Sequence, residues 1–154
     1  MTTRFKLRPA EVEELPALSA LCLRSKAYWG YDAAFMAACV PVLTLTEADL
    51  SAGPFVVAET QGRAAGLAQV TGTPDSMEID LLFVDPEFIG TGCGRVLFDW
   101  CTTTAAGLGA KMLRIEADPG AAPFYEKMGA VRVGDAPSTA VAGRSLPLLE
   151  MSLS

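Results

Sequence analysis

Two groups of residues carry chemistry by type and spacing. The first is the loop Gly90-Thr91-Gly92-Cys93-Gly94-Arg95, which follows the apolar run Leu81-Leu82-Phe83-Val84-Asp85-Pro86 and leads into Val96-Leu97-Phe98. A strand that passes through alternating glycines into a helix makes an anion cradle, because the first helical turn has N–H groups without intrahelical partners and carries the positive end of the macrodipole. Glycines let such a loop take positive φ and let a phosphate lie against the main chain. Arg95 adds a fixed positive charge in that first turn. The second group is Glu78 and Asp80, alternate residues of the strand that feeds the loop. Among apolar neighbours either carboxylate can have a raised pKa and accept a proton near neutral pH, and a solvated strand end is the competing reading. The chain has no histidine, so a general base must be Glu, Asp, Cys, Tyr, Lys or a relayed water.

The loop matches neither of two common phosphate motifs. No Gly-Lys-Ser or Gly-Lys-Thr occurs, which excludes a P-loop, and Arg95 stands where a dinucleotide fingerprint needs glycine. Composition narrows the classes further. The 154 residues suit one domain, taken as 1–154, and 51% apolar with 19% charged residues describes a core-rich chain. A net charge of -6 without a basic run argues against nucleic acid as a partner. No apolar run is long enough for a membrane span, and Met-Thr-Thr-Arg-Phe-Lys lacks the core of a signal peptide, so a cytoplasmic location is expected. Cys22, Cys39, Cys93 and Cys101 show no C-x-x-C spacing and read as free thiols, and no metal is expected.

The elements that must position these groups follow from periodicity. Phe5 and Leu7 alternate with charged residues as a short strand, and Val12, Leu15, Leu18 and Cys22 recur at helical spacing to about Lys26. Tyr28-Trp29-Gly30-Tyr31 breaks that helix; these aromatics read as core plugs or as a pocket wall. Asp32 caps a second helix from Ala33 to about Val40, stopped by Pro41, and Thr46 to Asp49 reads as a short capped turn. Strands over 55–59, 64–71 and 77–84, joined by tight turns, make a meander. In the last, a period of two puts Glu78, Asp80, Leu82 and Val84 on one face and Met77, Ile79, Leu81 and Phe83 on the other. A helix from the glycine loop to about Gly107 crosses to a strand over 111–117, which should lie parallel to the strand before the loop. A short helix near Pro123, a strand from Val131, a polar stretch from Gly134 to Ser145 and a final strand over 146–153, broken or preceded at Pro147, complete the chain.

This order of elements, the glycine loop after Leu82-Phe83-Val84-Asp85-Pro86, and Asp118-Pro119 ahead of Phe124-Tyr125-Glu126-Lys127-Met128-Gly129-Ala130 together resemble the GNAT superfamily of acetyl-CoA-dependent N-acetyltransferases over nearly the whole chain. The resemblance implies an α+β fold of the three-layer type, with a mixed, mostly antiparallel sheet and a splayed parallel pair at the CoA site. It implies acetyl-CoA as cosubstrate and an acyltransferase that moves an acetyl group to a primary amine of a small molecule or peptide, with a homodimer as the assembly to test. The family's Q/R-x-x-G-x-G/A pattern falls on Ile89 to Gly94, with Ile89 departing from it.

By resemblance, the amides of Gly90, Thr91, Gly92, Cys93, Gly94 and Arg95 hold the pyrophosphate and the main chain of Leu82, Phe83 and Val84 pairs with the pantetheine arm. Asp118 and Phe124 complete the cofactor-binding set, and Tyr125 matches the tyrosine that protonates the leaving thiolate. A carboxylate or water takes the amine proton, Glu78 first and Asp80 second. Arg24, Tyr28, Trp29, Tyr31 and Arg144 are the acceptor-site candidates, and the runs Arg24 to Tyr31 and Gly143 to Pro147 mark a subgroup. A non-catalytic acyl-CoA-binding or sensing domain is the rival expectation.

Overall fold

A computed structural model of the chain describes residues 4–138 and 141–153; residues 139 and 140 of the polar stretch, and 1–3 of the N-terminal run, lie outside the described residues. Seven strands, β1 (Lys6–Arg8), β2 (Phe55–Thr60), β3 (Arg63–Thr73), β4 (Ser76–Val84), β5 (Met112–Glu116), β6 (Val131–Pro137) and β7 (Ser145–Ser152), form one sheet in the order β1-β2-β3-β4-β5-β7-β6. All neighbouring pairs are antiparallel except β4 and β5, which are parallel. The helix between those two, α4 (Cys93–Gly107), is the crossover that a parallel pair requires. It buries Cys93, Leu97, Phe98, Cys101 and Ala105 at helical spacing against one face of the sheet, where α5 (Ala122–Lys127) adds Tyr125. On the other face α1 (Leu15–Ala27) and α2 (Ala33–Leu43), followed by the short α3 (Glu47–Ser51), enclose a second core with Leu18, Leu21, Cys22, Cys39 and Leu43 against Val57 and Leu67.

Two local expectations are corrected. Pro41 does not stop α2, which continues to Leu43. Proline removes one helical hydrogen bond, but burial of Cys39 and Leu43 against α1 favours keeping the last turn, and Thr44 Oγ1 donates back to Val40 O at 2.6 Å. The faces of β4 also differ from a strict period of two. Gln69 pairs with Leu81 and Val70 with Ile79, so Asp80 is an extra, unpaired residue, a β-bulge. The bulge flips the alternation. Leu82 and Val84 join Met77 and Ile79 on the α4 side, while Leu81 and Phe83 pack towards α1 and α2.

The bulge coincides with the splay. β4 and β5 pair at Met77 with Leu113, Glu78 with Arg114 and Ile79 with Ile115, and pairing ends there. Beyond it β4 stays on β3 through Gly66 with Val84 and Leu67 with Phe83, and its β5 side is left open from Asp80 to Val84. Gly66 permits this close packing, since a Cβ there would lie 2.7 Å from Phe83 O and 2.8 Å from Leu97 Cδ1.

Candidate active site

The gap between the diverging strands opens into a cleft of about 380 Å³. Its floor is Leu82, Phe83 and Val84, whose β5-facing main chain has lost its strand partner. An extended ligand with amide groups can supply the missing pairing. At one end lie Gly90, Gly92, Gly94 and Arg95. Gly90 and Gly92 have φ of +82° and +93°, where a side chain is strained. Val96 is the first residue of α4 to close a backbone bond, onto Gly92 O at 3.1 Å, so the amides of Cys93, Gly94 and Arg95 lack helical acceptors. A Cβ on Gly94 would press on Phe124 at 3.3 Å. Free amides, positive φ and a side-chain-free approach fit a pyrophosphate on this loop.

Neither the Thr91 nor the Cys93 side chain is open to a ligand, and the Thr91 amide, expected to face a pyrophosphate, instead donates to Phe88 O at 3.3 Å. The Thr91 hydroxyl turns back to Phe88 O, and the Cys93 thiol is fully buried, its pKa pushed up to about 12 by desolvation, which removes it as a nucleophile. Ile89 is exposed beside the loop and supplies no donor.

Tyr125 lines the cleft from α5, with its ring packed at 5.1 Å from Phe124 and 6.0 Å from Phe98. It makes no hydrogen bond among the described residues, and Gln69 Oε1 is the one fully buried side-chain polar atom there without a partner, so the Tyr125 hydroxyl opens onto the cleft. Burial raises its pKa, and the buried Cys101 adds to this, so the phenol is protonated at neutral pH.

On the far side of the splay is a second hollow of about 360 Å³, which shares Lys26, Ile79, Asp80, Phe83, Glu116 and Leu146 with the first. Glu78, Asp80 and Glu116 line it. Burial raises the Glu78 pKa, and the like charges of Glu116 and Asp80 raise it further; Asp80 is raised by burial, then by Asp49 and Glu116. Glu116 is a site residue that sequence reasoning missed. The signal existed: with Glu78 opposite Arg114 in a parallel register, the alternation of β5 carries Glu116 onto the same face as Glu78.

The acceptor candidates disperse. Trp29 lines the first cleft and Arg144 the second hollow. Tyr28 is exposed and packs edge-on to Trp29 at 5.2 Å. Arg24 is occupied elsewhere, at 2.6 Å from the buried Asp85; burial alone would raise the Asp85 pKa, but Arg24 and the Glu87 amide hold it below the ordinary value. That pair ties α1 to the end of β4. Asp118 lines the first cleft, but its Oδ2 accepts Tyr31 OH at 2.7 Å and its Oδ1 accepts the Gly120 amide at 2.9 Å, so both oxygens already bond within the protein.

The family model described as an acetyltransferase (GNAT) domain matches residues 32–153. The chain belongs to the GNAT acetyltransferase family. The GNAT fold recurs in solved structures. A GCN5-related N-acetyltransferase from Rhodopseudomonas palustris superposes with a TM-score of 0.83 at 26% identity, over 99% of this chain and 98% of its own. The PaiA N-acetyltransferase of Thermoplasma acidophilum, solved with coenzyme A, gives 0.80 at 15% identity over 97% and 99%. YncA of Salmonella typhimurium, a putative acetyltransferase solved with acetyl-CoA, gives 0.69 at 19% identity over 99% and 95%. At the last two identities the likeness is one of fold. No curated protein matches the sequence.

Proposed function

We propose that the protein transfers an acetyl group from acetyl-CoA to a primary amine by direct attack. The observation that carries this reading is the splay itself. It joins a cleft with a phosphate-type cradle and an unbonded tyrosine to a hollow lined by three carboxylates, with Asp80 and Glu116 lining both. The donor thioester fits along Leu82–Val84 with its sulfur towards Tyr125. The amine nitrogen bonds to the acetyl carbon and the carbon–sulfur bond breaks. Glu78, or Asp80 in its place, takes the ammonium proton directly or through water, and Tyr125 gives its proton to the departing sulfur and regains one from solvent. A raised carboxylate pKa suits the base, since a group poised nearer neutrality accepts a proton more readily.

Charge supports a cationic acceptor. Among the described residues Glu78, Asp80 and Glu116 have no ion pair within 4 Å, whereas both cations of the hollow, Lys26 and Arg144, face Asp118. An amine that arrives as ammonium is attracted to this surface; one that also bears a carboxylate is not. Thiol release from acetyl-CoA, measured over alkyl monoamines, diamines, amino acids and a lysine peptide, tests the reading. Turnover with the amines and diamines supports it, and no turnover with any of them refutes it. Ile89 favours one alternative, an acyl-CoA-binding domain without catalysis. That alternative predicts a melting-temperature rise with acetyl-CoA and no thiol release.

A further inference from the structure

The acceptor side of the splay is held together by a single carboxylate. Asp118, just past the end of β5, accepts from Lys26 Nζ at 2.6 Å and from Tyr31 OH at 2.7 Å, both on Oδ2, while Oδ1 accepts the Gly120 amide at 2.9 Å. Arg144 Nη2 donates to Tyr31 OH at 2.6 Å and stands 4.0 Å from Oδ2. The Tyr31 and Phe35 rings stack at 3.9 Å, and Arg144 lies 5.0 and 4.7 Å from their centroids. Three segments distant in sequence therefore meet at one site: the end of α1 with the turn that leads to α2, the end of β5, and the approach to β7. Burial alone would raise the Asp118 pKa, but the bonds from Lys26, Tyr31 and the Gly120 amide hold it below the ordinary value, so the hub is charged at neutral pH.

We propose that Asp118 is a positioning residue that fixes Trp29 against the donor cleft and Arg144 against the acceptor hollow, so that both walls of the splay are set by one group. Trp29 sits between two residues bound to Asp118, Lys26 and Tyr31, and its indole lies on the Asp118 turn, where a Cβ on Gly120 would come within 2.5 Å of Trp29 Cε3. Arg144 has its guanidinium on Tyr31, the residue that links it to the carboxylate. Removing the charge leaves two part-buried cations, Lys26 and Arg144, without the carboxylate they both approach, and a desolvated cation that loses its partner is costly. The family assignment implies a cofactor-binding role for this position; here both of its oxygens are taken by protein donors. The inference rests on the acetyltransferase reading only for the identity of the cleft's ligand.

The test uses the full chain with Trp100→Phe, which leaves Trp29 as the sole indole of the two tryptophans. Asp118→Asn and Tyr31→Phe are compared with that background by amide hydrogen exchange, by Trp29 emission and by titration with coenzyme A. For Asp118→Asn the expected result is exchange faster by about tenfold or more in both 27–36 and 142–146, with β2 and β3 unchanged. Trp29 emission shifts to the red, and coenzyme A affinity changes by less than about threefold, below 1 kcal/mol. Tyr31→Phe should free the Arg144 segment while Lys26 stays on Asp118, and it carries the test if Asp118→Asn does not fold. Exchange confined to 118–120, exchange raised across the whole sheet, or a large loss of coenzyme A affinity with both segments still protected would each overturn the proposal. Failure of coenzyme A to bind even the background protein would sink the functional reading, and the exchange data would still decide the hub.

Discussion

Replacing Tyr125 with phenylalanine separates chemistry from folding. The hydroxyl has no hydrogen-bond partner among the described residues, so Tyr125→Phe orphans no donor or acceptor, and the ring contacts with Phe98 and Phe124 remain. Stability should change by no more than about 0.5 kcal/mol, roughly 1–2 °C in melting temperature for a chain of this size. The rate should fall much further. A general acid contributes about 10²–10⁴-fold. A thiolate is a good leaving group, with a thiol pKa of about 8.5, so the low end applies, near 10²-fold or about 2.7 kcal/mol of barrier. The assay is thiol release at saturating acetyl-CoA and amine, with melting and coenzyme A titration on the same preparation. An unchanged kcat would refute the assignment of the acid. A loss of kcat accompanied by a drop of more than about 5 °C would show that the hydroxyl supports the fold, contrary to its lack of partners.

Further expectations concern charge, backbone and acceptor. Glu78 titrates above its ordinary value of 4.5 because burial and the neighbouring carboxylates oppose its ionisation. The folded chain therefore binds that proton more tightly than the unfolded chain, and ionisation costs stability above the unfolded pKa but not below it. Glu78→Gln should raise the melting temperature at about pH 7, leave it unchanged at about pH 4, and lower kcat; a fall in stability at neutral pH would contradict the repulsion argument. Gly92→Ala meets no atom within 4 Å, so its cost is that of a side chain at φ +93°, about 1–2 kcal/mol, with a smaller thermal shift on adding coenzyme A. Equal shifts for both proteins would remove the cradle. Glu116→Gln should weaken kcat/KM for a diamine about fivefold, the ~1 kcal/mol of one charge pair in water-like surroundings, with KM for acetyl-CoA unchanged. An unchanged kcat/KM would exclude Glu116 from acceptor attraction.

Features governed by short-range rules are legible in the residues alone. Glycines at 90, 92 and 94 followed by a helical pattern could only be a strand-to-helix turn with free amides, and they are. The meander, the crossover helix and the parallel relation of β4 to β5 follow from turn chemistry and from the handed, unknotted connection of a strand through a helix. Tertiary structure decided the rest. The bulge at Asp80 has no local signature in Met77 to Val84, because a strict alternation and a flipped one contain the same residues; only pairing with β3 under two cores selects between them. The α2 turn beyond Pro41 forms because burial outweighs one lost hydrogen bond, a balance that propensity cannot supply. Arg24 and Tyr31 read alike as acceptor contacts, and long-range partners divide them: Asp85 lies 61 residues from Arg24 and Asp118 lies 87 from Tyr31. Spacing along a chain gives the face a side chain occupies, whereas the charge it meets there depends on which distant segment the fold brings opposite.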